Sequence, residues 1–181
     1  MKKVIITSIL AIAAVNAFAG SASLEVGDLD GRNGSANQSN INLIVRENIS
    51  KNFVGDVQLS STKTDVTNAI STRIELGGTG LVPMGGLTGY VRAAVGERFG
   101  TSDFSYYSVE PGVRVPFGNL TAQVGWRFRD SFSSGQNDQT RTWRTGVSYA
   151  LTRTDTIGVR FDRVRGNTNQ NALAFNYTKG F

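Results

Sequence analysis

The chain has no cysteine and no histidine, and only three prolines. Without cysteine there is no disulfide, so an exported domain of this size must be held by a well-paired sheet or a sufficient core. Without histidine or cysteine, Ser–His and Cys–His nucleophiles and histidine metal sites are all excluded. The acids in the connecting segments, Asp65, Asp103, Asp130 and Asp138, lack calcium-loop spacing. No P-loop or dinucleotide fingerprint occurs either. No cofactor, no metal and no enzymatic role are expected. Charge of one sign is also scarce. The formal +5 includes Lys2 and Lys3, which leaves about +3 once the N-terminal segment described below is removed. That balance is too mild, and too evenly spread, to argue for nucleic acid as a partner.

Long apolar runs are missing except at the start. Lys2 and Lys3 precede an almost wholly apolar stretch from Val4 to Val15, and Ala17-Phe18-Ala19 supplies the small-x-small pattern before Gly20. This reads as a cleaved Sec-type signal peptide over residues 1–19, too short to be a permanent anchor. About 162 residues, 20–181, then remain as one domain. In them nothing approaches eighteen consecutive apolar residues, so no transmembrane helix is expected. Hydrophobic residues make up 39% and glycines number 21, and nearly every apolar residue is separated from the next by a polar one. Such a chain suits a sheet whose two faces meet two different solvents.

Period-two alternation carries the secondary structure. From Leu120 to Arg129 it is unbroken, with Leu120, Ala122, Val124, Trp126 and Phe128 on one face and Thr121, Gln123, Gly125, Arg127 and Arg129 on the other. Successive strand side chains point to opposite faces, so this segment is greasy on one side and wet on the other. The same design recurs over ten segments, placed near 22–30, 39–48, 53–62, 68–77, 86–98, 104–115, 119–130, 140–151, 155–165 and 171–181. Pro111 interrupts the sixth and marks a bulge or edge-like position. Polar connections (31–38, 62–67, 100–103, 130–139, 166–170) alternate with tight turns such as Pro116-Phe117-Gly118-Asn119. The connection from Gly77 to Gly86 is the exception, long and partly apolar, and is expected to be a flexible turn or a short extra strand. With both termini in the periplasm, Phe53, Phe117, Tyr149, Tyr177 and Phe181 fall near one rim. Phe99, Phe104, Tyr107, Phe128, Phe132 and Trp143 fall near the other, as in the aromatic girdles of membrane interfaces.

The final segment condenses the rule. Leu173, Phe175, Tyr177 and Phe181 alternate with Ala174, Asn176, Thr178 and Gly180. With the signal peptide, the alternating strands and the two classes of connection, this ending resembles the bacterial outer-membrane β-barrel class, in the size range of OmpA-like barrels and small porins. The resemblance spans the whole mature chain and is architectural, without a family-specific motif. It implies an all-β fold, a single antiparallel transmembrane β-barrel of ten strands, with eight as the alternative count. It also implies residence in the bacterial outer membrane among lipid and lipopolysaccharide, and a monomeric state. A terminal strand ending in phenylalanine looks like the signal read by the barrel-assembly machinery, carried here by Leu173, Phe175, Tyr177 and Phe181. Lys179 departs from that pattern.

If the apolar face meets lipid, the other face fills the barrel with Arg46, Arg73, Arg92, Arg98, Arg114, Arg127, Arg129, Arg144 and Arg160, together with Asp56, Glu75, Glu110 and Asp162. Charges far from bulk water should pair. Arg73 with Glu75, Glu110 with Arg114, and Arg160 with Asp162 share inward faces, and pairing across neighbouring strands is a further expectation. Two roles follow for such a lumen: a plugged structural core, or a narrow water-filled pore whose arginine excess favours small anionic solutes. Surface recognition through the longer loops, 31–38 and 130–139, is the alternative, and a soluble periplasmic barrel is another.

Overall fold

The computed structural model describes residues 20–181 apart from 33, 101, 102, 134, 136 and 137, so the expected signal segment 1–19 lies outside the described residues. Ten strands run in chain order: β1 (Ser21–Gly31), β2 (Gln38–Ser50), β3 (Phe53–Thr64), β4 (Ile70–Met84), β5 (Leu87–Phe99), β6 (Phe104–Phe117), β7 (Leu120–Ser131), β8 (Thr140–Ala150), β9 (Asp155–Gly166) and β10 (Gln170–Gly180). Each pairs antiparallel with its sequence neighbours, and β10 returns to pair with β1, closing the barrel. Closure is made by the final segment against the first, with Leu24 opposite Tyr177 and Val26 opposite Phe175. A closed antiparallel sheet leaves no backbone donor or acceptor unpaired at an edge, which is what a hydrocarbon solvent demands.

Alternation decides which face goes where. On β10 the ring of Phe175 is 55% exposed on the outside while its neighbour Ala174 is 5% exposed on the inside. Leu24 and Val26 on β1, Ile74 and Leu76 on β4, Val91 and Val95 on β5, and Leu173 on β10 likewise lie exposed outside. The buried set is largely polar: Glu25, Asp56, Glu75, Arg92, Ser108, Glu110 and Asp162 are all inside. This inverts a water-soluble protein, whose apolar residues are the ones removed from solvent. It is the arrangement of a transmembrane β-barrel.

The strand ends differ in length of connection. The end carrying Gly20 and Phe181 has two-residue turns at 51–52, 85–86 and 118–119. Gly85 and Gly86 both adopt positive φ (49° and 95°), the pairing a tight hairpin turn requires and that a side chain resists. The fourth connection at that end, 151–154, has four residues, and the opposite end carries the longest loop, 132–139, alongside the three-residue 167–169.

Three features depart from the sequence expectations. The segment after Gly77 is neither a flexible turn nor an extra strand. Strand β4 continues through it to Met84, with Gly80 opposite Phe53 on β3 and Leu81 opposite Tyr90 on β5. Glycine and proline there disguise strand as loop, because neither residue shows a side-chain alternation. Phe104 belongs to no outer aromatic belt either. It is buried inside, edge-on to the ring of Tyr106, because β6 begins on an inward position. Pro111 makes neither a bulge nor an edge: it pairs with Val91 on β5, while the β6–β7 ladder passes over Glu110 and Pro111 without a change of register, from Val109 opposite Phe128 to Gly112 opposite Gly125. A residue without an N–H costs least where the ladder is already open. Lys179, the exception in the last strand, lies at the short-turn rim, and its Nζ is 3.0 Å from Asp155 Oδ1.

Candidate functional site

Among the described residues, charge, cavity and burial coincide in the lumen. Each strand delivers every second side chain to it, so the inward residues follow directly from register. The cavity has a volume of about 330 Å³, and all thirteen of the charged residues assigned inward from the sequence line it. Their pairing is another matter. Of the three same-strand pairs expected, only Arg160 with Asp162 forms, Nε donating to Oδ1 at 3.0 Å. Arg73–Glu75 and Glu110–Arg114 do not form, because carboxylates at these positions reach arginines on other strands.

At mid-height the charges form a belt in two chains. In the first, Arg92 on β5 donates from Nε and Nη2 to both oxygens of Asp56 on β3, at 3.0 and 2.6 Å. Its Nη1 lies 2.6 Å from Glu75 Oε1 on β4. The other oxygen of Glu75 accepts from Arg127 on β7, which also donates to Ser108 Oγ at 3.1 Å. In the second chain, Arg144 on β8 donates to Glu110 on β6 at 2.7 Å and places its Nε 3.4 Å from Asp162 on β9. Arg160 links Asp162 to Glu25 on β1, donating to both Glu25 oxygens at 2.6 and 3.0 Å, and Asn42 on β2 donates to Glu25 at 2.6 Å. Forked guanidinium–carboxylate contacts are the strongest form such pairs take. Every strand except β10 contributes to the belt.

Glu25 was absent from the sequence-based inward set, although its position between Leu24 and Val26 reveals its face. With it, the belt holds Arg92, Arg127, Arg144 and Arg160 against Glu25, Asp56, Glu75, Glu110 and Asp162. The waist is therefore electrically balanced to within one charge, and the arginine excess lies at the two ends.

Toward the short turns, Arg46 donates to Ser23 Oγ at 2.8 Å and Arg114 stacks 4.8 Å over the ring of Tyr90. Tyr90 in turn donates to Glu110 at 3.2 Å. The Tyr90 ring lies across Gly112 on β6 and Gly125 on β7, where any Cβ would strike it. Toward the long loops, Arg129 pairs with Asp138 at 2.7 Å and stacks 5.4 Å over Tyr106, while Arg98 stacks 5.6 Å over Phe104. Arg73 makes no hydrogen bond or ion pair among the described residues. Sequence reasoning missed Tyr90, Phe104, Tyr106 and Asp138 as lumen groups. Tyr106 and Phe104 alternate with the outward Tyr107, so their face was readable. Asp138 sits in a loop and carries no periodic signal.

A closed ten-strand antiparallel barrel with an apolar exterior and a charged, narrow interior defines the small outer-membrane β-barrel fold. The comparisons agree at the level of fold. The chain is similar to the NanC porin (TM-score 0.53, 8% identity, 87% of this chain and 100% of that one). It is similar to the KdgM porin in complex with disordered oligogalacturonate (TM-score 0.51, 12% identity, 89% and 99%). It is also similar to the β domain of the Bordetella autotransporter BrkA (TM-score 0.50, 12% identity, 90% and 100%). No protein-family model matches the chain, and no curated protein matches it.

Proposed function

We propose that the protein is an integral outer-membrane barrel whose lumen works as a packed, charge-paired core, closed at the waist and open as a vestibule toward the loops. The observation that carries this reading is the belt. Its ion pairs bridge strands that are not neighbours, as Arg127 on β7 does to Glu75 on β4, so the guanidinium groups lie across the lumen rather than along its wall. In a barrel of this strand number, long side chains suffice to fill the interior. The outward charges Asp28, Asp30, Lys63, Arg141 and Arg163 lie at the long-loop end, where headgroups of the outer leaflet would meet them. The apolar outer face of β10 supports recognition of Leu173, Phe175, Tyr177 and Phe181 by the assembly machinery.

Recordings from refolded protein in planar bilayers test the closed waist. Wild-type protein should give no regular conductance steps. A second reading, a narrow anion path, is favoured by one observation: the cavity lining runs from Arg46 and Arg114 at one end to Thr64 and Thr168 at the other. Discrete steps with chloride preferred over potassium would establish it and reject the closed core. The KdgM porin was solved with an acidic oligosaccharide, and a barrel with arginine at both mouths is suited to attracting such solutes.

A further inference from the structure

The long-loop end of the lumen holds three arginines and one carboxylate, and two of the arginines oppose each other in register: Arg73 on β4 faces Arg98 on β5. Like charges directly opposed on a sheet repel, and here no acid separates them. Asp138 is engaged by Arg129. The residues at 101, 102, 134, 136 and 137 are Thr, Ser, Ser, Gln and Asn, none of them acidic. Of the other acids in the neighbouring loops, Asp65 and Asp103 are exposed, and Asp103 accepts from the Gly100 N–H at 2.8 Å. Elsewhere in the barrel each excess arginine is accommodated: Arg46 by the Ser23 hydroxyl, and Arg114 by the Tyr90 ring.

We propose that Arg73, Arg98 and Arg129 form a binding site for a soluble solute bearing a phosphate-type tetrahedral dianion, which enters from the loop side. Arg98 and Arg129 rest on the rings of Phe104 and Tyr106, which hold the guanidinium planes, and only one Arg129 nitrogen, Nη2, is engaged by Asp138. The Nε atoms of Arg98 and Arg129 are buried without an acceptor. Arg73 has no hydrogen-bond or ion-pair partner among the described residues and lies opposite Arg98 in the β4–β5 register. All three arginines line the same cavity. Three guanidinium groups against one carboxylate leave two positive charges, which a dianion neutralises. A tetrahedral oxyanion also presents acceptors to donors arriving from three strands, whereas a carboxylate offers one planar edge. The cluster faces the lumen and lipid meets the outer face, so the anion is a free solute and not a lipid headgroup. The site is independent of whether the waist conducts.

Titration calorimetry on the mature barrel, refolded in an alkyl maltoside at pH 8 and low chloride, tests this, with inorganic phosphate, sulfate and acetate as probes. Phosphate and sulfate should bind saturably at one per barrel, and acetate at least about tenfold more weakly. Arg73→Gln and Arg98→Gln should each weaken phosphate binding about tenfold or more, the loss of one charged hydrogen-bond donor set. Arg153→Gln, in an exposed turn at the other end, should leave it unchanged. Heat-modifiable migration reports folding of each variant, and Arg98→Lys provides a milder substitution that keeps the charge but lacks the fork. Absence of saturable phosphate binding, acetate binding as tight as phosphate, or folded Gln variants that bind like wild type would each overturn the proposal. Phosphate binding together with regular conductance steps would retire the closed waist and leave this site standing.

Discussion

Glu75 serves two arginines at once, Arg92 through one oxygen and Arg127 through the other. Removing one member of a buried pair leaves the partner charge uncompensated, which costs more than the pair itself contributes. Glu75→Gln should therefore lower stability by about 3 kcal/mol, read as a shift of the urea midpoint for the barrel in lipid vesicles. Glu97→Gln, on the outward face of β5, serves as the control and should change little, since an exposed charge is worth at most about 1 kcal/mol. Glycine acts on the same scale in the opposite way, by absence. A Cβ at Gly96 would lie 2.6 Å from the Tyr106 ring and 2.8 Å from the backbone oxygen of Ile74. The ring can move, but the strand backbone cannot. Gly96→Ala should cost about 1–3 kcal/mol in the same assay, whereas Gly135→Ala, with open space around it, should be neutral.

At the scale of the strand, face is fate. Val124 on β7 points out between Ala122 and Trp126, and Gln123 beside it lines the cavity. Val124→Arg should destabilise the barrel by about 2–4 kcal/mol, the penalty for a cation near the middle of the hydrocarbon. Gln123→Arg should cost distinctly less, because its side chain enters a polar interior. Equal effects in vesicle unfolding would mean that the two faces are not in different solvents. Nine strands were legible near their full extent because their alternation is carried by large apolar side chains. Strand β4 was legible only to Gly77. Beyond it, Gly77, Gly78 and Gly80 present no side chain, and the pairing to β3 and β5 alone shows that the ladder continues.

For the whole molecule, closure makes stability cooperative, since no strand can leave without exposing two ladders to lipid. Unheated protein in detergent gels should migrate as a compact species and shift on boiling, and fractionation should place it in the outer membrane. Migration insensitive to heating, together with a soluble periplasmic location, would reject the membrane barrel. The amino-acid sequence by itself determined nine strands and most of β4, the face each presents inward, and the inward charges other than Glu25 and Asp138, because a period of two is a local property of the backbone. It could not determine which charge meets which. That is set by barrel closure and strand tilt, which bring Glu25 on β1 to Arg160 on β9 and Glu75 on β4 to Arg127 on β7. Only the tertiary structure decided that the waist is balanced to within one charge and that the uncompensated arginines gather at the ends, because long-range charge pairing is a property of the closed surface and not of any one strand.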